Sequence, residues 1–232
     1  MKQINIFTFW EPKLNIPGYI KLCNSTWKNI FPIKKIIILD YSNLYHYLKP
    51  SLILRILCKK MKMKVQADAI RVAILKKYGG IWMDADTIVI NTRFIKRFYD
   101  YELVTLSYHI GFIYASKNSI FISKWLRKII KGVNIYKKAL SRNLTKENFN
   151  DLNRGDYLGN LIFDLIVKEC KGKELLQINA LKMFAFPEKI LIKKNIKAQL
   201  KYQRFYFSKG NPKKIIDKII DNSKGIIMFH NS

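Results

Sequence analysis

The chain alternates short apolar runs with longer segments of mixed polarity, and the periods separate cleanly. Ile4 to Trp10 is rich in β-branched and aromatic residues and is closed by Glu11-Pro12, which predicts a first strand. From Pro17 to Ile30 the residues Tyr19, Leu22, Cys23, Thr26, Trp27 and Ile30 fall at helical spacing, with Pro32 closing the segment. Lys35 to Leu39 is then a continuous apolar strand ending in Asp40, of the kind buried on both faces. Strand, helix, strand in that order predicts a βαβ unit with parallel pairing. Gln66 to Tyr78 contains good helix formers without Gly or Pro and reads as an amphipathic helix, which the Gly79-Gly80 pair stops by supplying positive φ. Ile81-Trp82-Met83 predicts a short buried strand, Asp84-Ala85-Asp86 interrupts it, and Thr87 to Ile90 resumes strand composition.

The flanking segments are less regular. Between Asn43 and Lys64, Leu52, Ile53, Ile56 and Leu57 follow helical spacing, while Tyr45, His46 and Tyr47 suit either a groove or local packing. Phe94 to Tyr99 predicts a short helix, Leu103 to Leu106 and Gly111 to Lys117 two strands. Ser119 to Lys131 is an amphipathic helix expected to pack against the sheet rather than lie on lipid. Residues 132–153 are polar, Asn-rich and Lys-rich, and are expected to form an insertion or loop. Gly155-Asp156-Tyr157-Leu158-Gly159-Asn160 opens a further helix, and Gly225 to Phe229 is a final strand before His230-Asn231-Ser232.

Length and composition bound the reading. A chain of 232 residues with 49% hydrophobic content suits a single globular domain with a C-terminal extension. No stretch approaches the roughly 18 uninterrupted apolar residues of a membrane span, and Met1-Lys2-Gln3-Ile4-Asn5 runs into a strand rather than a signal peptide, so a cytoplasmic location is expected. Cys23, Cys58 and Cys170 are odd in number and widely separated, which predicts reduced, buried thiols. The formal charge of +27 attracts polyanions. Lys59-Lys60-Met61-Lys62-Met63-Lys64 and the tail from Lys189 to Lys218, with its interleaved Tyr202, Phe205, Tyr206 and Phe207, concentrate it. No zinc, helix-turn-helix or RNA-recognition signature accompanies these clusters, so nucleic acid is not the expected partner; an anionic membrane surface is, unless the lysines are merely solvated faces.

The chemistry concentrates at the central motif. Two carboxylates between apolar runs are costly to bury unless each finds a partner or a metal. Mg²⁺ and Mn²⁺ take carboxylate and phosphate oxygens together, so Asp84 and Asp86 suit a metal-bound diphosphate; a polar turn is the plainer alternative. Asp68 and Arg71, three apart, share one face of the preceding helix.

Ala67-Asp68, Arg71, Tyr78-Gly79-Gly80, Ile81-Trp82-Met83 and Asp84-Ala85-Asp86 stand in the order found in glycosyltransferase family 32 and its capsular polysaccharide synthesis relatives, and this run resembles that family's core. The resemblance is specific over residues 66–91, moderate from 1 to 131 and weak beyond. It implies an α/β domain of the Rossmann-like GT-A type, a mixed central sheet flanked by helices with a basic C-terminal extension. Residues 1–131 would form the nucleotide-sugar-binding core, with 132–232 the acceptor side of the same domain. It implies a Mn²⁺- or Mg²⁺-dependent, retaining transfer from a nucleotide sugar, a UDP sugar foremost, to a glycan or lipid-linked glycan. In that reading Asp86 binds the metal and Asp84 holds the ribose or metal-bound water. Asp68 and Arg71 grip donor-sugar hydroxyls or phosphate, and Asp40 is a further ribose contact. Trp10 is either a platform for the base or a core residue. Asp156 either acts across the sugar from the metal or caps a helix, and His230 either completes the metal shell or ends the chain unligated.

Two rivals stand beside this reading. An Asp-nucleophile phosphatase also places Asp-x-Asp after an apolar strand, but it wants Thr or Val two residues after the second Asp, where this chain has Ile88. A basic nucleic-acid-binding module would use the charge but leave the Asp-x-Asp and Tyr-Gly-Gly pattern without a role.

Overall fold

A computed structural model describes residues 4–14, 16–32, 35–89, 93–106, 109–141, 157–169, 175–178 and 226–228. The first strand, β1 (Ile6–Phe9), leads into helix α1 (Gly18–Ile30) and returns as β2 (Ile36–Leu39). β1 and β2 pair in parallel, Ile6 opposite Ile36 and Phe9 opposite Leu39, as the βαβ reading requires. Two short helices, α2 (Leu44–Tyr47) and α3 (Pro50–Ile56), occupy the stretch whose periodicity was mixed, and α4 (Met63–Tyr78) follows. Next come β3 (Gly80–Met83), β4 (Thr87–Val89), a 3₁₀ segment (Arg93–Asp100), β5 (Leu103–Leu106), β6 (His109–Ala115), α5 (Ile120–Ser141), α6 (Asn160–Glu169), β7 (Leu175–Ile178) and β8 (Ile226–Met228).

The main sheet runs β2-β1-β3-β6-β5-β7. β3 is parallel to β1 and antiparallel to β6, β6 is antiparallel to β5, and β7 lies parallel to β5. The expected mixed α/β sheet flanked by helices is therefore the observed architecture. Alternate strand residues go to opposite faces. Phe7, Phe9, Trp82 and Ile113 enter one core with α4, α5 and α6, while Ile6, Ile81, Met83 and Phe112 enter another with Trp27 of α1 and Phe98 of the 3₁₀ segment.

Gly79 and Gly80 have φ of +64° and +96°. A Cβ at Gly79 would stand 2.7 Å from the Lys117 amide nitrogen and one at Gly80 2.5 Å from the Asn5 carbonyl oxygen, so both the turn and the close fit of β3 against its neighbours demand glycine.

Three expectations need correction. Helix α4 is not amphipathic in place: Val65, Gln66 and every residue from Asp68 to Leu75 are buried, because the sheet covers one side and α5 and α3 cover others. Residues 132–141 are not loop but the continuation of α5, since Val133, Tyr136 and Ala139 extend its buried stripe past the lysines. The buried stripe of α5 enters the core it shares with the sheet, as expected, with α4, α6 and α3 as its helix neighbours. Of the cysteines, Cys23 is a buried free thiol as expected, Cys58 is a free thiol only half-buried, and Cys170 lies outside the described residues.

Candidate functional site

Each carboxylate of the central motif is placed by a different part of the fold. β3 runs parallel to β1 and β2, so Asp84 emerges at the carboxyl end of a parallel strand, where ligands of open α/β sheets collect. Its amide donates to the Gly111 carbonyl at 2.7 Å, and the Thr87 amide donates back to the Asp84 carbonyl at 3.0 Å, closing a tight turn around Ala85 and Asp86.

The Asp84 side chain is fixed from inside. Oδ1 accepts a hydrogen bond from Arg71 at 2.7 Å and one from Trp82 Nε1 at 2.9 Å. Its other oxygen, Oδ2, accepts nothing among the described residues, and the side chain is 37% exposed. Arg71 is itself only 5% exposed; its NH1 stands 3.1 Å from Asp68 Oδ1, the expected same-face pair, and its guanidinium lies 5.2 Å from the Trp82 ring centre. The motif thus forms a chain from Asp68 through Arg71 to Asp84, with Trp82 as a lateral brace. Arg71 still has Nε without an acceptor, and NH1 pairs with Asp68 as a charge without hydrogen-bond alignment.

Asp86 is buried. Burial raises the Cys23 thiol pKa well above its ordinary value, and the Asp86 charge raises it further, which places the carboxylate beside α1. α1 fastens β4 by two side chains: Trp27 Nε1 donates to the Thr87 carbonyl at 2.6 Å and the Val89 amide donates to Thr26 Oγ1 at 3.1 Å. β4 also pairs with β8, Thr87 opposite Met228.

Trp10 follows β1, its amide bonded to the Leu39 carbonyl at 3.0 Å and its ring partly buried, with Nε1 lacking an acceptor. Thr8 Oγ1, Asn24 Oδ1 and Thr87 Oγ1 are likewise buried without partners among the described residues. Such groups are rare and mark places where water or a ligand completes the bonding. Here they come from β1, α1 and β4, and a second set, Asn160 Oδ1 and Asp164 Oδ1, from α6.

Asp40 is otherwise engaged. Its carboxylate accepts from Ser42 Oγ at 2.5 Å, the Asn43 amide at 2.9 Å and Asn43 Nδ2 at 3.3 Å, and pairs with Lys13 at 3.2 Å. Burial works to raise its pKa, but the Ser42 hydrogen bond, then Lys13 and the Asn43 amide, outweigh it and hold the carboxyl below its usual range. Asp156 and His230 lie outside the described residues; the helix that follows Asp156 begins at Asn160, after a turn over Tyr157–Gly159.

Sequence reasoning brought Asp68, Arg71 and Asp84 together but overlooked Trp82, although its position two residues before Asp84 on one strand gives both side chains the same face. It also overlooked Gly159, where a Cβ would stand 2.4 Å from Asp68 Oδ2. Among the described residues no group of three His, Cys, Asp or Glu is arranged to hold a metal ion. One or two carboxylates completed by substrate oxygens is nonetheless the habit of Mg²⁺ and its like, and Asp84 Oδ2 and Asp86 fit that habit.

No curated protein matches the chain. Among solved structures, one titled PaToxG Glycosyltransferase is similar at 16% identity and a TM-score of 0.44, over 97% of this chain and 88% of its own. The family model described as capsular polysaccharide synthesis protein matches residues 1–209, and the chain belongs to that family.

Proposed function

We propose that the protein is a metal-dependent glycosyltransferase that moves a sugar from a nucleoside diphosphate sugar, a UDP sugar foremost, to a hydroxyl of a bacterial surface glycan or its lipid-linked precursor. The observation that carries this reading is Asp84: one oxygen is held by Arg71 and Trp82, and the other is left open at the carboxyl end of a parallel strand. Membership of a capsular polysaccharide synthesis family supports the reaction class. The retaining course rests on the resemblance to family 32.

In this reading Asp86 is the direct ligand of Mn²⁺ or Mg²⁺, and Asp84 Oδ2 holds the ribose or a water of the metal. His230 is a third ligand; the pairing of Met228 with Thr87, the residue after Asp86, supports that choice. When bound, the cation supplies positive charge to the departing diphosphate. Arg71 orients Asp84, and its spare N–H groups favour a donor oxygen entering beside it, since a buried guanidinium left short of acceptors is costly. Asp68 keeps Arg71 in place. Trp10 carries the base on its ring, and Asp156 acts across the sugar from the metal, stabilising positive charge that develops at the anomeric carbon.

Calorimetric titration of UDP and a panel of UDP and GDP sugars, with and without Mn²⁺, tests this on the wild type and on Asp86→Asn. Metal-dependent binding that disappears in Asp86→Asn is expected. Failure of every nucleotide to bind with metal present overturns the transferase reading and returns the phosphatase to contention.

A further inference from the structure

Helix α5 uses one stripe to build the core and presents the opposite one outward. Arg127, Lys131 and Lys138, spaced four and seven apart, fall on that outer stripe. With Arg55 of α3 they line a groove of about 460 Å³ between the two helices, completed by Ile130, Asn134 and Ile135, with no acidic residue. None of the four cations is paired with a carboxylate among the described residues. The groove is rigidly framed: Lys137 Nζ donates to the Leu54 carbonyl, and Tyr136 Oη donates to the Lys60 carbonyl at 2.9 Å.

Apolar side chains that the core does not claim lie in this groove and across α3 from it. Leu54 of α3 is 71% exposed, Tyr45 of α2 62% and Ile135 of α5 46%. Leu54 also lines a second groove, of about 410 Å³, on the other side of α3, with Tyr41, Tyr45, Leu57, Lys59 and Gln66. That groove is mostly apolar and reaches Gln66, two residues before Asp68 in α4.

We propose that this α2–α3–α5 face is a docking surface for an anionic lipid bilayer, with the cations on headgroup phosphates and Leu54, Tyr45 and Ile135 at the acyl boundary. Charge complementarity selects an anionic partner. The aliphatic side chains select the bilayer over a soluble polyanion, because neither a phosphorylated glycan nor a nucleic acid rewards burial of Leu54 or Ile135, whereas an interfacial surface pairs basic residues with such side chains. The apolar groove beside α4 then lies at the membrane, on the side from which a lipid-linked molecule would approach. The inference does not rest on the transferase reading, since vesicle binding needs no turnover.

The test is flotation of the full chain with mixed phosphatidylglycerol–phosphatidylcholine vesicles and with phosphatidylcholine alone. Binding to the mixed vesicles only is expected, and Arg127→Gln/Lys131→Gln/Lys138→Gln should weaken it about 10²-fold, as roughly 1 kcal/mol per basic residue near an anionic surface implies. Lys21→Gln/Lys28→Gln/Lys117→Gln removes the same charge from exposed positions elsewhere and should weaken it far less. Leu54→Ser/Ile135→Ser, which alters no charge, should weaken it about tenfold. Equal loss in the two charge triplets, equal binding to both vesicle types, or binding to duplex DNA without binding to vesicles overturns the proposal.

Discussion

Asp40 and Asp84 occupy equivalent places, each the first residue after a parallel strand, yet they have opposite surroundings. Asp40 is satisfied locally: Ser42 and Asn43 bond to it from the next turn, and Lys13 adds a charge to Oδ2. Asp84 is held by Arg71 from a helix and by Trp82 from its own strand, both through one oxygen. A carboxylate with both oxygens engaged fixes backbone; a carboxylate braced through one oxygen has the other to offer. Position at a strand end selects candidates, and whether one oxygen or both are taken sorts them.

The largest expected effect breaks the brace itself. Arg71→Met leaves Asp68 buried beside an apolar side chain, and loss of one partner of a buried ion pair costs about 3–5 kcal/mol. Urea unfolding measures it, and a loss below about 1 kcal/mol would mean that Arg71 does not anchor these carboxylates. On the transferase reading, Asp84→Asn should lower sugar transfer about 10²-fold, the scale of removing one charge-stabilising group, and, since Arg71 keeps Asp68, should cost less stability than Arg71→Met does. Asp40→Asn should lose stability while keeping transfer; comparable activity losses in both variants would erase the distinction. Gly159→Ala forces a Cβ toward Asp68 Oδ2 and Ile110 and should cost about 1–3 kcal/mol, read by thermal unfolding.

The smallest effect is in pH. Asp40 has a folded pKa below the unfolded value of about 3.9, so its contribution is complete above that value and is lost as pH falls through the folded one. The difference in melting temperature between wild type and Asp40→Asn should therefore be full at neutral pH and shrink in acid. A difference that stays constant down to pH values below both would assign Asp40 no ionisation-linked role.

Legibility followed the range of the interactions. The βαβ start, the glycine stop after α4 and the pairing of Asp68 with Arg71 are written in local spacing and can be read from it. The setting of α4 cannot, because Gln66, Asp68 and Arg71 imitate a solvent face while bonding inside the protein. β7 is four residues at a sheet edge, Leu175–Ile178, too short to show a period. The outer half of α5 hides its stripe among lysines. At the site, Trp82 read as one more apolar strand residue, since nothing in composition distinguishes an indole that packs from one that also donates to a carboxylate.

The pairing of β4 with β8 joins Thr87–Val89 to Ile226–Met228 across most of the second half of the chain. Closing so long a loop is entropically late, and contacts of this separation slow folding. The bonds from Trp27 and Thr26 of α1 span a shorter loop than the pairing with β8, so loop-closure entropy favours fastening β4 to α1 first and to β8 afterwards.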